Sequence, residues 1–229
     1  MTHVVAIDGP AASGKSTTAA AVARRLGFLH VDSGALYRAL TLVALDLDPD
    51  ASPGDIIHAA ERRDLRLRPD PDRVWVLLEG ADAEPRIRSA EVTARVSAVS
   101  AMPEIRSWVN HRLRRLAEGD RPLVLDGRDM GTAVFPDARI KIFLVAPPAV
   151  RAERRLRQRG QEVDEEVLAR ETARIAARDH ADSTRQAAPL LAAADAIQLD
   201  TSGLSFEQQV DRIVELVAAS PLSQAGGGR

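Results

Sequence analysis

The chain opens on a short, unbroken apolar run, Val4 to Ile7, closed at once by the glycine-rich DGPAASGK. An alanine-rich stretch follows to Leu26. In it Val22, Ala23 and Leu26 fall at helical spacing, and Gly27 suits a C-cap. Phe28 to Val31 reads as a second strand, ending at Asp32 and Ser33, and Tyr37, Leu40, Val43 and Ala44 place a helix after it. Further strands are predicted at Leu123–Leu125, Ile140–Val145 and Ala196–Leu199. Each run is continuously apolar rather than alternating, the pattern of strands covered by helices on both faces. Strand, glycine loop, helix, strand is the order of a parallel sheet. The fold class expected is therefore α/β, with a five-stranded parallel sheet flanked by helices.

Between about Pro49 and Pro103 the texture changes. LRLRPDPDRVWVLLEG reads as two strands around a DPD turn, a local hairpin rather than a crossover unit. This predicts a small insert on the main sheet, with Ser89 to Met102 as a helix returning from it. Glu104 to Glu118 carries an amphipathic stripe of Ile105, Val109, Leu113 and Leu116. After the Ile140 strand comes a highly charged helical stretch, VRAERRLRQRGQEVDEEVLARETARIAARD, interrupted around Gly160. Ser205 to Ala218 closes the fold as a final amphipathic helix, and SPLSQAGGGR is expected to be a disordered tail. There is no internal repeat and no heptad seam.

Composition narrows the picture at a few points. A length of 229 residues suits one substantial core with small inserts. No apolar run approaches 18 residues, which argues against a membrane span, and the N-terminus lacks a signal-peptide pattern, so the cytoplasm is the expected compartment. The absence of cysteine excludes disulfides and thiolate metal sites. A net charge of −2 gives no global electrostatic case for nucleic-acid binding. Of 31 basic residues only Lys15 and Lys141 are lysines, so an arginine here says little alone, and Lys15 says more. His3, His30, His58, His111 and His180 are scattered without metal-ligand spacing and read as structural or exposed.

GPAASGKS at 9–16 fits G-x-x-x-x-G-K-S/T, placed between a predicted strand and a predicted helix as that motif requires. Its glycines let backbone N–H groups approach phosphate oxygens, and the helix N-terminus adds a favourable dipole. Lys15 is placed to reach the β- and γ-phosphates, and the Ser16 hydroxyl to ligate Mg²⁺. The nucleotide-binding residues expected from the loop are Gly9, Pro10, Ala11, Ala12, Ser13, Gly14, Lys15, Ser16 and Thr17. Such a loop serves GTPases, ATPases, small-molecule kinases and nucleotide sensors alike. A guanine-reading N-K-x-D is impossible, since the only asparagine, Asn110, precedes a histidine.

Three charged clusters follow: DSGALYR at 32–38, DGRDMGT at 126–132 and RDHADSTR at 178–185. The first two lie at predicted strand ends, where an open parallel sheet binds its ligands, and so face the P-loop. Phosphoryl transfer needs the acceptor's anionic oxygens held in line, with developing charge neutralised. Arg38, Arg128 and Arg185 suit that task, because a guanidinium binds phosphate bidentately. A surface or structural ion pair is the competing reading for each arginine alone.

GPAASGKST, DSGALYR, DGRDMGT, VFPDARIKIFL and the RD…D..R..APL run together resemble the bacterial cytidylate kinases, nucleoside monophosphate kinases with a P-loop, from about Val4 to about Val217. The resemblance implies a single P-loop kinase domain over 1–229. Its core would be about 1–35, 104–150 and 173–219, with a small inserted monophosphate-binding subdomain at about 36–103, a helical lid at about 151–172, and a tail at about 220–229. It implies transfer of the ATP γ-phosphate to CMP or dCMP with Mg²⁺, and Lys15, Arg128 and Arg185 as the catalytic residues. Ser33, Arg38, Arg128 and Arg185 would contact the acceptor phosphate; Ser97, Arg106 and Asp129 would read cytosine; Arg178 and Asp182 would hold the ribose.

Cytosine's amino group suits a carboxylate such as Asp129, and its O2 and N3 acceptors suit Arg106. Uracil would leave that carboxylate unpaired. Asp126 is expected to orient neighbours or metal-bound water rather than touch the base. Arg154, Arg155, Arg157 and Arg159 cluster near the Gly160 hinge, with one or two expected over the phosphates and the rest solvated. Many nucleoside monophosphate kinases carry glycine after the lysine; Ser16 gives the standard Walker form instead. The alternatives are a kinase of UMP or dephospho-coenzyme A and a non-catalytic nucleotide sensor. No nucleic-acid or membrane partner is expected, and a monomer is the default.

Overall fold

The computed structural model describes residues 3–220, so all of the expected tail except Ser220 lies outside the described residues. Five strands form the main sheet: β1 (Val4–Asp8), β2 (Leu29–Asp32), β6 (Leu123–Gly127), β7 (Ile140–Val145) and β8 (Ile197–Asp200). Their order is β2-β6-β1-β7-β8, and every pairing is parallel. Successive residues of a strand point to opposite faces, and β1 feeds both apolar layers accordingly. Val4 and Ala6 join one, Val5 and Ile7 the other. The second layer is closed by α1 (Lys15–Leu26) and α9 (Phe206–Ala219).

The first layer is covered by α2 (Ser33–Leu45) and α6 (Pro103–Ala117) and continues without a break into the insert. There, α3 (Pro53–Arg62) leads into β3 (Arg66–Pro69), β4 (Val74–Leu78) and β5 (Ala81–Asp82), an antiparallel sheet of three strands. The short helix α4 (Glu84–Ile87) and then α5 (Ala90–Ala101) return the chain to the core. Ile56, Val76, Leu78, Val96 and Val99 all belong to the same buried cluster as Leu123 and Leu125. On the far side of the sheet, α7 (Pro148–Gln158) ends at Arg159 and Gly160, whose φ of +65° is a left-handed conformation that glycine adopts without steric cost. Then α8 (Glu165–Thr184), capped by Asp164, carries the RDHADSTR cluster as far as Thr184, with Arg185 as its extended C-cap.

Register sets the position of the site. Asp8 pairs with Gly127, and Asp126 stands level with both Asp32 and Ile7. The carboxyl ends of β1, β6 and β2 are therefore flush, and three polar loops leave the sheet at one rim.

Several expectations need correcting. Strand β2 runs from Leu29 to Asp32 rather than from Phe28, and β8 from Ile197 to Asp200 rather than from Ala196. The apolar run at β8 suggested cover on both faces, yet β8 is the outermost strand and Ile197 is 39% exposed. Short apolar runs do not by themselves distinguish a central strand from an edge. The predicted hairpin is present, but α3, α4 and β5 were not anticipated. Helix α3 had a sequence signal: Ser52 and Asp55 form a complete capping box around Pro53.

Candidate active site

A cleft of about 670 Å³ opens along this rim, between the P-loop, the insert-derived helix α5 and the α7–α8 pair. On its donor side the loop after β1 wraps the N-terminus of α1. Gly9 has a φ of +155°, and a Cβ there would stand 2.8 Å from the Leu144 carbonyl oxygen. Ala12 holds a left-handed φ of 57°, a strained conformation for a non-glycine residue, of the kind that clusters at ligand clamps. The first turn of α1 contains no acidic side chain, so its N-terminal dipole is free to attract an anion. Lys15 Nζ curls back to donate to the Pro10 carbonyl at 3.0 Å. Burial, helped by the nearby Arg128 charge, pulls the Lys15 ammonium down to about 7.

The loop's crown is clamped from the lid side. Ala11 N–H donates to Asp179 Oδ1 at 2.8 Å, while Arg151 Nη1 donates to the Ala11 carbonyl at 2.7 Å and to Asp179 Oδ2 at 2.6 Å. Arg151 Nε also holds the Ala146 carbonyl at 2.8 Å. Sequence reasoning missed this clamp, which joins the P-loop, α7 and α8.

Beside Lys15, the Ser16 hydroxyl donates to Asp126 Oδ2 at 2.5 Å. The other oxygen of that buried carboxylate meets His30 Nε2 at 2.9 Å. Burial opposes charging of His30, but the hydrogen bond and charge of Asp126 outweigh it and raise the imidazole above its ordinary value. A hydroxyl and a carboxylate oxygen at the mouth of a P-loop fit Mg²⁺, a hard cation that takes one or two protein oxygens beside phosphate and water. Asp8, also buried, accepts from the backbone N–H groups of Met130 and Gly131 at 2.9 and 2.8 Å. It thereby fixes the turn of π-helix at Met130–Val134 that follows Asp129. Burial raises Asp8 to about 6.

Across the cleft from the loop, arginines converge. Arg38, Arg128, Arg178 and Arg185 all line the cleft, joined by Arg88, Arg154 and Arg155. Burial and mutual repulsion depress several of them: Arg178 falls to about 10 through burial and the Arg128 charge, and Arg38, Arg155 and Arg185 also fall below the usual guanidinium value. Arg128 Nε donates to Asp182 Oδ2 at 2.9 Å, Arg185 Nε to the Ala188 carbonyl at 2.6 Å, and Arg38 Nη1 to Thr93 Oγ1 at 2.9 Å. Two buried donors, Arg178 Nε and Arg185 Nη2, have no hydrogen-bond partner. Ser33 lines the cleft with its hydroxyl donating to the Asp126 carbonyl at 2.6 Å. Arg88 Nη2, from the insert, reaches Asp32 Oδ2 at 2.8 Å.

Deeper in, Arg106 and Asp129 form a buried ion pair through Nη2 and Oδ2. Arg106 Nη1 also donates to the Ser100 carbonyl at 2.9 Å, and the guanidinium faces the Tyr37 ring at 5.3 Å. The Tyr37 hydroxyl is buried without a partner. From α5 it is Val96 and Ser100 that line the cleft; Ser97 is half-buried beside them and does not line it, its carbonyl accepting from Ser100 Oγ at 3.1 Å. Tyr37, the only tyrosine, sits inside DSGALYR and was legible as a motif residue. Ser100 carried no signal beyond its helix phase.

The lid arginines divide. Arg154 donates to Thr201 Oγ1 at 3.1 Å and to the Thr201 and Ser202 carbonyls, and Arg155 pairs with Glu171 at 3.2 Å; both line the cleft. Arg157 points outward to Glu153, with 72% of its side chain exposed, and Arg159 is exposed as well.

A parallel sheet with a Walker loop facing a cationic cleft, flanked by the helix pair α7 and α8, is the construction of a P-loop kinase. The chain belongs to the cytidylate kinase family, whose model, described as "Cytidylate kinase", matches residues 5–219. Curated relatives of that name agree. The protein of Limosilactobacillus fermentum is 44% identical, covering 91% of this chain and 92% of its own. That of Corynebacterium glutamicum is 45% identical over 95% of each, and that of Geobacillus sp. 45% identical over 93% and 95%. The protein is accordingly an ATP-dependent nucleoside monophosphate kinase. Among the described residues no helix is long and apolar enough to cross a membrane.

Proposed function

We propose that the protein transfers the γ-phosphate of ATP to CMP or dCMP, giving ADP and the cytidine diphosphate. The observation that carries this reading is the crowded, charge-depressed arginine cluster facing the P-loop, with buried, unpaired donors on Arg178 and Arg185. Buried donors without partners are costly and call for a ligand acceptor. An acceptor phosphate bound by Arg38, Arg128 and Arg185, with Ser33 beside it, would satisfy the Arg185 donor and present an oxygen to the γ-phosphorus, while the ribose would meet Arg178. That oxygen attacks directly, so the protein needs no nucleophile of its own. Lys15, charged once phosphate is bound, neutralises the charge that develops on the transferring group.

Ser16, with Asp126 behind it, would hold Mg²⁺, whose charge would offset that of the phosphates. Arg178 and Asp182 take the ribose. Cytosine is read by Arg106 and Asp129, with Ser97 assigned from the family pattern. Arg106 occupies Asp129 Oδ2, and a carboxylate accepts through both oxygens, so Oδ1 serves the exocyclic amino group. Residues 36–103 act as the monophosphate-binding region and 151–172 as the lid, whose closure by Arg154 and Arg155 excludes water that would otherwise consume ATP. Every residue named belongs to one chain, so a single chain suffices for this chemistry.

The test is ADP formation in a coupled assay with CMP, dCMP, UMP and AMP as acceptors. CMP and dCMP should be clearly preferred. Turnover of UMP at an equal rate would defeat the base reading, and no turnover with any acceptor would favour a nucleotide sensor.

A further inference from the structure

Of the five histidines, His30 alone joins the active-site network through a carboxylate, and nothing in the reading so far uses it. It lies on β2, level with Val124 of β6, and its side chain is 13% exposed. Its Nε2 holds Asp126 Oδ1 at 2.9 Å, while Ser16 Oγ holds Oδ2 at 2.5 Å. Asp126 is 1% exposed, so water is not a substitute for either partner. The terminal torsion of an aspartate is soft and roughly two-fold, so a single hydrogen bond leaves the carboxylate free to swing. Donors on both oxygens fix its plane.

His30 is itself held in place by the insert. Its N–H donates to the Asp72 carbonyl at 3.3 Å, and it bridges Arg73. The Asp70–Arg73 turn is tied to the core a second time by Arg121, which donates to the Asp70 carbonyl at 3.1 Å and to that of Pro71. The result is a continuous chain of contacts from the hairpin turn through His30 and Asp126 to Ser16.

We infer that His30 is a positioning residue for the metal-binding corner of the P-loop, holding the Asp126 carboxylate in the orientation that aims the Ser16 hydroxyl. The inference rests on the reading of Ser16 as the Mg²⁺ contact. It requires only an Nε2–H donor on the ring, so a neutral imidazole suffices. It also gives the insert's hairpin a task beyond enclosing the acceptor, as the buttress for the strand that carries this donor.

Equilibrium binding separates this from a packing effect, since no turnover is involved. The affinity of the full chain for ADP is measured by calorimetry with and without Mg²⁺, and the ratio of the two gives the metal enhancement. In His30→Leu, which keeps a strand-forming apolar side chain but no donor, the enhancement should fall about five- to tenfold. Metal-free ADP and CMP should bind within about twofold of the parent. His30→Gln, whose Nε2 reaches a similar position and donates, should keep at least half of the parental enhancement. Should His30→Leu fail to fold, His30→Asn takes its place, being polar but too short to reach.

An unchanged enhancement in the donor-less variant would overturn the inference. So would equal losses for metal-free ADP and CMP, or a glutamine variant as poor as leucine. A parent without metal enhancement would instead remove the Ser16 reading, and this inference with it.

Discussion

Lys15 combines two conditions that seldom coexist in a resting protein: deep burial and a cationic neighbour in Arg128. Together they pull its ammonium down to about 7 in the nucleotide-free structure. A polyphosphate arriving at that point reverses the balance, because an adjacent anion favours the charged form. Between the lowered value and the restored one, the complex holds more protons than the free protein. Nucleotide binding should therefore take up protons, approaching about one near pH 8, and affinity should weaken as the pH rises above 7. Calorimetry of ATP binding in buffers of different ionisation enthalpy reads the uptake directly; Lys15→Met should abolish it, and an uptake that survives in that variant would assign the proton elsewhere.

The residues legible from sequence are those whose role is set by local backbone. The P-loop is one segment, and Arg38, Arg128, Arg178 and Arg185 each sit in a compact charged motif. Asp8, His30 and Ser100 act through partners far along the chain or through helix phase, and a single sequence does not display those contacts.

Among the elements, the coupling of α7, α8 and the P-loop through Arg151 and Asp179 is the least expected. Arg151 opens the segment read as a lid, but its side chain is 4% exposed and hydrogen-bonded to two backbone carbonyls and Asp179. It is a hinge pin rather than a phosphate contact. Removing one partner of a buried pair strands the other, at a cost of about 3 kcal/mol. Arg151→Ala should lower the unfolding free energy, read by denaturant titration, by an amount of that order. Arg151→Lys should recover only part of it, since an ammonium lacks the fork that reaches Ala146, Ala11 and Asp179 together. A loss below about 1 kcal/mol would mean the clamp is not structural.

Element types were recovered well for the main sheet because glycine turns and apolar runs alternate cleanly there. Boundaries moved by a residue at β2 and β8, and the insert held α3, α4 and β5 in a region read only as a hairpin and a returning helix. Helix α3 did carry signals, a capping box at Ser52–Asp55 and apolar positions Ile56, Ala59 and Ala60 at helical spacing, but it is only ten residues long and two of those three positions are alanines.

At the scale of the whole molecule, the flush ends of β1, β6 and β2 bring the P-loop, the Ser16–Asp126 pair and the arginine cluster to one rim. The insert's apolar residues are continuous with the core on that side. The cleft is thus lined from both, with Tyr37 and Arg106 beside Asp129, whose following turn Asp8 anchors. The sequence placed Arg106 and Asp129 in one pocket through family resemblance alone; their direct pairing through Asp129 Oδ2 is a tertiary fact.

The most direct test of this account is kcat/KM for CMP and for UMP at saturating MgATP, in the parent and in Asp129→Asn. A site built to pair a substrate's N–H donor rejects an analogue that lacks it strongly, so the parent should favour CMP by about a hundredfold or more. The asparagine variant should bring the ratio below about tenfold, chiefly by losing CMP. A parent that uses the two pyrimidines equally, or a variant that discriminates as well as the parent, would contradict it.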